Sequence, residues 1–367
     1  MHIKIYDKYI FKQVLGAVLV CILLFVIVWI APETLLNVVR KILDGTYSVS
    51  AGLQILFYEI PKILNKALPI GLFLGTLFTF DKLSKDSEIT IFRNAGLSSA
   101  RIIAPVFVLS IFVTIVCFFV NNFIGPYSCN KLHELKGDIL FSNIVYITKD
   151  DFSHPKQIII LPLYTQKQVF KPVVMNFSNV YYSDASELSE IIIGASGHIS
   201  QNELVVDEGR KYSINSDGVF NEIVRVDNYN VISADKALVL YKISQYKLKR
   251  ERDLTNIELF DYIKLLKQEG LKNDYHGNLN KYLQRYFHSA MCILFAILGC
   301  YLGFSKPREQ KLVGFIIAIA ITFVYYITLP PIDVLADKGI LHPIIAALFH
   351  PILLVGAILF IRKMKDV

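Results

Sequence analysis

The sequence predicts a membrane α-helical protein of six spans, arranged three and three around an inserted all-β domain. Three observations predict it. Hydrophobic residues make up 54% of the 367 and charged residues only 19%, outside ordinary soluble usage. The apolar residues gather in blocks at the two ends of the chain, each block long enough to cross the hydrocarbon core of a bilayer. Between them, from about residue 143 to residue 246, short β-branched and aromatic runs separated by turn clusters take over.

Lys4, Lys8 and Lys12 precede the first span, Gln13 to Pro32, which carries no charge. A basic start before an apolar run also describes a signal peptide. This run is longer than a signal core and lacks a small-x-small cleavage site, so it reads as a retained span. The second span, from near Gly52 to Phe80, carries Glu59, Lys62 and Lys66 in its first half, with Pro61 and Pro69 placed to bend it. At about 100° per residue the three charges fall within about 60° of one another on a helix.

The connector that follows, Asp81 to Arg101, is longer than a return loop needs. It has room for about two turns of helix lying along the membrane. Ser84, Ser87, Asn94 and Ser98 supply capping chemistry and Gly96 a helix stop. Glu88 and Arg93 add charge, and Ile89, Ile91, Phe92 and Leu97 add apolar surface. That mixture predicts a docking surface for a cytoplasmic partner. The third span, Ile102 to Ile124, is expected to stop at Gly125-Pro126.

In the insert, NIVYIT, QIIILPL, VVMNF, NVYYS, EIIIGA, ELVVDEG, KYSIN, EIVRV and ALVLYKI read as strands, with turns such as Ser216-Asp217-Gly218 between them. No helix-length periodic segment intervenes, which predicts a sandwich, roll or barrel. Leu254 to Gln268 reads as an amphipathic helix through Ile257, Phe260, Ile263 and Leu266. A polar stretch with Gly270 and Gly277 leads to the fourth span, Tyr286 to Ser305. Leu312 to Ile332 and Gly339 to Ile361 follow as the fifth and sixth. The expected divisions are 1–128, with a connector helix around 82–97, then 129–252 for the β domain, 253–281 for a helix and linker, and 282–367.

Basic residues fix the orientation. Lys4, Lys8 and Lys12, then Lys82, Lys85, Arg93 and Arg101, then Lys306, Arg308 and Lys311, then Arg362, Lys363 and Lys365 all share one side, against Arg40, Lys41 and Lys338 in the short loops of the other. Both termini are therefore expected in the cytoplasm and the β domain beyond the inner membrane, in the periplasm of a Gram-negative cell. Much of the +7 net charge sits beside spans, so topology explains it better than nucleic acid does.

Four of the five cysteines, Cys21, Cys117, Cys292 and Cys300, lie in apolar runs and Cys129 stands apart, which leaves no disulfide framework, and no metal-ligand spacing occurs. Nor does the chain contain GxxxxGK[ST], GxSxG or HExxH. Ser196, in GASGH, lacks a nucleophile-elbow context. No catalytic residue, metal or cofactor is expected, and energy must come from a partner.

Charge inside a membrane is costly and tends to mark function. Glu59, Lys62 and Lys66 lie just beyond Arg40 and Lys41, and four cations at one depth suit an anionic amphiphile's head group. The alternative is that Glu59 pairs with Lys62 while the lysines snorkel to the interface. Glu88, taken by itself, reads as a solvated charge at a helix start, where the dipole favours it. Asp333 and Asp337 read as loop charges, and His342 and His350, each before a proline, as structural. A partly unfilled β interior can hold lipid chains; the insert's own pattern leaves that open.

LPIGLFLGTLFTFDKLSKDSEITIFRNAGLS, the closing FVYYITLPPIDVLADKGILHPIIAALFHP, and the overall plan resemble the LptF/LptG permease family, the membrane subunits of the bacterial lipopolysaccharide-export ABC transporter. SGHISQNELVVDEGRKYSINSDGVFNEIVRVDNYNVI and Lys-Pro-Arg at 306–308 are similar to the LptF branch, while Arg40-Lys41 and Pro61-Lys62 lean toward LptG. The resemblance covers nearly the whole chain. It implies a periplasmic β-jellyroll, a second permease as partner, and a cytoplasmic ATPase, the LptB dimer, which uses ATP and Mg. It also implies LptC, whose jellyroll receives the lipid at a sheet edge. Glu88 matches the acidic residue of the family's coupling helix, with Ile89, Phe92 and Arg93 beside it. Lys62, and more loosely Arg40 and Lys41, match positions that place cations toward lipid phosphates, whereas Lys66 rests on the helical-face argument alone. Two other classes remain at this point. A mechanotransmission subunit of another ABC system would not need the outer cations, and an intramembrane enzyme would need paired polar groups at one depth.

Overall fold

The computed structural model describes residues 4–136, 141–149, 155–164, 171–179, 186–199, 203–215, 219–231, 234–249, 253–304 and 313–364. Lys306, Arg308, Lys311, Lys365 and the Ser216–Gly218 turn lie outside the described residues, as does most of NVYYS. The chain forms two compact units, one of residues Met1–Lys136 with Thr255–Val367 and one of Gly137–Leu254.

In the helical unit, α1 (Ile5–Ile30) passes through a π-helical turn, Ala31–Leu35, into α2 (Leu36–Leu43). Helix α3 (Val49–Lys85), the short α4 (Glu88–Asn94) and α5 (Ser99–Phe119) follow. A second π turn, Val120–Ile124, joins α5 to α6 (Gly125–Lys136). Among the described residues, six stretches are long and apolar enough to cross a membrane: Ile5–Ile30, Val49–Lys85, Ser99–Lys136, Asp274–Gly303, Gly314–Asp337 and Pro343–Lys363. The three-plus-three plan predicted from the sequence is therefore present.

Gly125-Pro126 does not stop the third span. The π turn shifts the bonding pattern there, so that Gly125 N–H reaches Val120 O five residues back. Pro126, which has no N–H to give and whose ring would crowd a regular turn, is absorbed in the altered register. Helix α3 likewise runs unbroken through Pro61 and Pro69. Pro69 leaves the carbonyl of Asn65 without its helical donor, and His288 Nε2 sits 3.0 Å from that oxygen. A carbonyl only accepts, so Nε2 carries the proton and Nδ1 accepts from Tyr325 OH at 3.0 Å.

The described residues of the insert form six strands, β1 (Phe141–Lys149), β2 (Pro155–Tyr164), β3 (Val173–Asn179), β4 (Ser186–Ile199), β5 (Leu204–Ile214) and β6 (Phe220–Asn230). They form one antiparallel sheet in the order β1-β2-β3-β4-β5-β6. Each strand pairs with its sequence neighbour. The crossover of a two-sheet jelly roll is not among these pairings of the described residues. Tyr146, Ile159, Val174 and Ile192 stand directly opposite one another across β1 to β4 and all four are buried, while Val145, Ile147 and Ile193 are exposed. This period-two alternation fixes the register, because a one-residue slip would turn the whole row outward. ELVVDEG and KYSIN, expected as two strands, are one continuous strand, β5. The ALVLYKI segment is not a strand but part of α7 (Ala234–Leu248). Its buried Leu240, Ile243 and Ser244 follow helical spacing, and α7 packs against β1, β2 and β4.

A polar ladder crosses the same sheet. Gln157 Nε2 donates to Asn176 Oδ1 at 2.9 Å, Asn176 Nδ2 to Glu190 Oε2 at 3.3 Å, and Lys211 Nζ lies 2.6 Å from Glu190 Oε1. The Lys211 ammonium holds the Glu190 carboxyl below its ordinary value of 4.5. A depressed folded-state value means that the ladder stabilises the fold above the unfolded value. That contribution is lost as pH falls through the folded one. Glu190→Gln is therefore expected to lower the sheet's melting free energy by about 0.5–1 kcal/mol at pH 7. The gap to the parent should close as the pH approaches 3. Circular dichroism melts at the two pH values measure this, and a gap that stays constant would refute it.

The chain returns through α8 (Asn256–Gln268), α9 (Lys272–Gly303), α10 (Val313–Asp337) and α11 (Pro343–Met364). Helix α8 is capped by Thr255 and Glu258, each bonding the other's backbone N–H. Its buried face is Leu259, Tyr262, Ile263 and Leu266, and the expected Ile257 and Phe260 are exposed. Gly270 ends α8 at φ +68°. Gly277 belongs to α9 rather than to a linker, and lies against Asp337. Asp333 and Asp337 are helical residues of α10, not loop charges. Asp333 accepts from Asn280 and Gln284 of α9. His350, buried on α11, shares a 3.1 Å hydrogen bond with Thr328.

The centre of this unit is α3. Leu72, Phe80 and Leu83 meet residues of α1 and α5, while Phe73 and Leu77 meet α9, α10 and α11. Apolar burial between helices gains little against lipid tails, so close backbone approach must supply the cohesion. Glycines provide it. Gly71 and Gly75 admit Ile22 and Val18 of α1, and Gly299 and Gly303 of α9 admit the backbone of α3 from Phe73 to Asp81.

Candidate functional site

Two sites lie at the two ends of α3, which at 37 residues is about 55 Å long. At its C-terminal end the chain turns through Ser87, held at φ 64°, into α4. Ile89 is buried in the cluster that holds Ile10, Leu83 and Ile102, with Phe92 and Leu97 packed against it. The Phe92 ring lies 6.1 Å from that of Tyr6. Arg93 places its guanidinium 5.1 Å over the Phe304 ring and donates to Ser99 Oγ at 3.2 Å. Glu88 Oε1 accepts from Tyr9 OH at 2.9 Å. Nearby, Arg101 donates to Asp7 Oδ2 at 2.7 Å and to Tyr6 OH at 2.8 Å. The ends of α1, α3, α5 and α9 thus converge on α4.

The four connector residues singled out in the sequence therefore divide. Ile89 and Phe92 root the helix in the bundle, Arg93 clips it to α9, and Glu88 stands half-buried at its start. The outward apolar residue is Ile91, 62% exposed, beside Thr90 and Asn94. Rooted this way, α4 is fixed to the ends of four helices, α1, α3, α5 and α9, rather than free to flex as a loop.

At the other end of α3, the packing of Val38 (α2), Ile55 (α3) and Leu132 (α6) draws three helices together. Arg40 and Lys41 are exposed on α2, with Lys41 Nζ 3.0 Å from Tyr47 OH. On α3, Lys62 Nζ lies 2.6 Å from Glu59 Oε1. Glu59 Oε2 lies 3.6 Å from Nζ of Lys136, at the end of α6. Lys66 is exposed and turns elsewhere, its ammonium 4.9 Å over the Trp29 ring. The structure therefore joins Lys62 to Glu59 but directs Lys66 toward α1, although all three share one helical face.

Lys136 was missed in the sequence because Gly125-Pro126 reads as a stop. Its signal was the polar but helix-compatible stretch YSCNKLHELK beyond the proline. The π turn that carries α6 onward also places Asn121 between α3 and α9, accepting from Asn65 Nδ2 at 3.1 Å and donating to Arg285 O at 3.2 Å. π turns recur at functional sites.

Among known proteins, the sequence profile described as "Lipopolysaccharide export system permease LptF/LptG" matches residues 8–364. The lipopolysaccharide export system permease protein LptF of Escherichia coli K12 is 27% identical over 128 residues, covering 35% of this chain and 35% of that protein. The LptF of Shigella flexneri matches with the same figures. These aligned stretches span about a third of the curated relatives. The profile spans almost the whole chain, and with the six apolar helices and the inserted sheet it identifies a multi-pass membrane protein: the chain belongs to the LptF/LptG family of lipopolysaccharide export system permeases.

Proposed function

We propose that this chain is an LptF-type permease subunit that extracts lipopolysaccharide from the outer leaflet of the bacterial inner membrane and passes it to a periplasmic bridge. The chain catalyses no reaction itself. A cytoplasmic LptB dimer hydrolyses ATP with Mg, docks on α4 through Glu88, Ile91 and the root residues behind them, and drives closure. A second permease, of the LptG type, forms the other wall of the lipid cavity, and LptC adds a further β module. Arg40, Lys41, Lys62 and Lys66 hold phosphates while the exposed apolar faces of α1 and α5 hold acyl chains. Both termini lie in the cytoplasm and the β unit in the periplasm.

The observation that carries this reading is the anchorage of α4. A short helix with a charged, partly apolar outer face and a root packed into the bundle through Ile89 and Phe92 is what a coupling element requires, and the cations at the far end of α3 supply a head-group site. The test is reconstitution of the chain with LptB, LptG and LptC in proteoliposomes containing labelled lipopolysaccharide. ATP-dependent transfer of label to a soluble β acceptor is expected. ATP hydrolysis without transfer, unaffected by neutralising Lys62, would refute lipid export and favour a mechanotransmission subunit.

A further inference from the structure

We propose that Glu59 is a built-in stand-in for the lipid phosphate. Its carboxylate occupies Lys62 and Lys136 until a phosphate head group displaces it, and its charge afterwards favours release. This rests on the lipid-export reading and adds two residues to it.

Three features of the site carry the inference. The anion lies beneath its cations: the Glu59 side chain is 7% exposed, against 48% for Lys62 and 31% for Lys136. An arriving head group therefore meets ammonium groups before it meets the carboxylate. The match is also incomplete. Oε1 sits 2.6 Å from Lys62, but among the described residues Oε2, although buried, has no hydrogen-bond partner and meets only the 3.6 Å approach of Lys136. A phosphate brings more acceptor oxygens and more charge than a carboxylate, so it can satisfy both lysines at once. Finally, lysines at a membrane interface can snorkel to water without an acid below them. A buried carboxylate with one oxygen left unsatisfied is costly, so its presence beneath these lysines calls for a role that they alone do not fill.

The consequence is a holding force set deliberately below its maximum. Glu59 neutralises one of the two lysines, and once a phosphate takes both, the displaced carboxylate repels it at short range. That repulsion raises the rate at which the lipid leaves when the cavity narrows.

The test uses the assembled transporter in nanodiscs with the parent chain and Glu59→Gln. Affinity is measured for lipopolysaccharide with intact lipid A phosphates and for the dephosphorylated lipid. Glu59→Gln is expected to bind the phosphorylated lipid about tenfold tighter, as loss of one short-range charge repulsion allows, with no change for the dephosphorylated one. ATP-driven export should slow. Equal affinities in parent and variant would overturn the proposal. Failure of the parent to bind lipopolysaccharide at all would instead overturn the export reading. If Glu59→Gln does not assemble, Lys136→Gln decides: it is expected to cost several-fold in affinity for the phosphorylated lipid alone, and unchanged binding would overturn the assignment. Competition by millimolar inorganic phosphate against the phosphorylated lipid would assign the pair to the free anion, and would overturn the lipid stand-in.

Discussion

Glu88→Ala is expected to strip the ATPase from the purified complex, cutting its recovery at least about tenfold, as loss of a central charged contact in a protein interface does. The chain itself should still insert and fold. The reason lies in how α4 is held. Its fold depends on Ile89 and Phe92 packing into the bundle and on Arg93 against Phe304, none of which needs the Glu88 carboxylate. Among the described residues that carboxylate has one hydrogen-bond partner, the Tyr9 hydroxyl on Oε1, and a cation of the ATPase is expected to take the other oxygen. Glu88→Gln separates charge from tether, because an amide oxygen still accepts from Tyr9. If charge is what the ATPase reads, Gln behaves like Ala, and Tyr9→Phe is mild. Full ATPase recovery and export by Glu88→Ala would remove α4 from the coupling role.

Gly299→Leu is expected to separate α3 from α9 and with them the two three-helix halves. A Cβ at Gly299 would meet Thr76 Oγ1 and stand 2.6 Å from Phe73 O and 3.2 Å from Leu77 N. Two of these three atoms are backbone and cannot rotate aside. Thr76 Oγ1 is itself tied to the carbonyls of Leu72 and Phe73 at 2.8 Å. Gly303, one turn on, faces the same wall, with Leu77 O at 2.8 Å from its would-be Cβ. Overpacking a core usually costs about 1–3 kcal/mol, and an obstacle of main chain puts this site at or above the upper end. The melting midpoint in detergent should drop by about 5–10 °C, with loss of monodisperse protein on size exclusion. Gly356→Leu on α11 is the control, since a Cβ there meets nothing within 4 Å, and it should be near neutral. Equal melting of the two variants would show that the α3–α9 seam is not held by close approach.

The spans and the β insert were legible because each depends on a local pattern. An apolar run must be helical in lipid, where no water can satisfy a free backbone, and alternating residues must be strand when one face is buried. The errors came where a local signal met a tertiary remedy. Gly125-Pro126 reads as a stop, yet a π turn carries the helix on to Lys136. Residues 237–243 read as a strand from composition, but Leu240 and Ile243 pack at helical spacing. In α8, Ile257 and Phe260 fit a helical stripe as well as Leu259 and Tyr262 do, and only the neighbour α9 selects between them.

The sites divide in the same way. The sequence alone placed Glu59, Lys62 and Lys66 inside an apolar span, where charge is costly, and Glu88 in the charged connector beyond its other end. It also determined that a short amphipathic element lies between the second and third spans. Which way each side chain turns was decided by tertiary structure: Ile89 inward and Ile91 outward, Lys66 onto Trp29, and Glu59 between Lys62 and a lysine 77 positions away at Lys136. Helical angle fixes a residue's face, but only the neighbouring helices decide what that face meets.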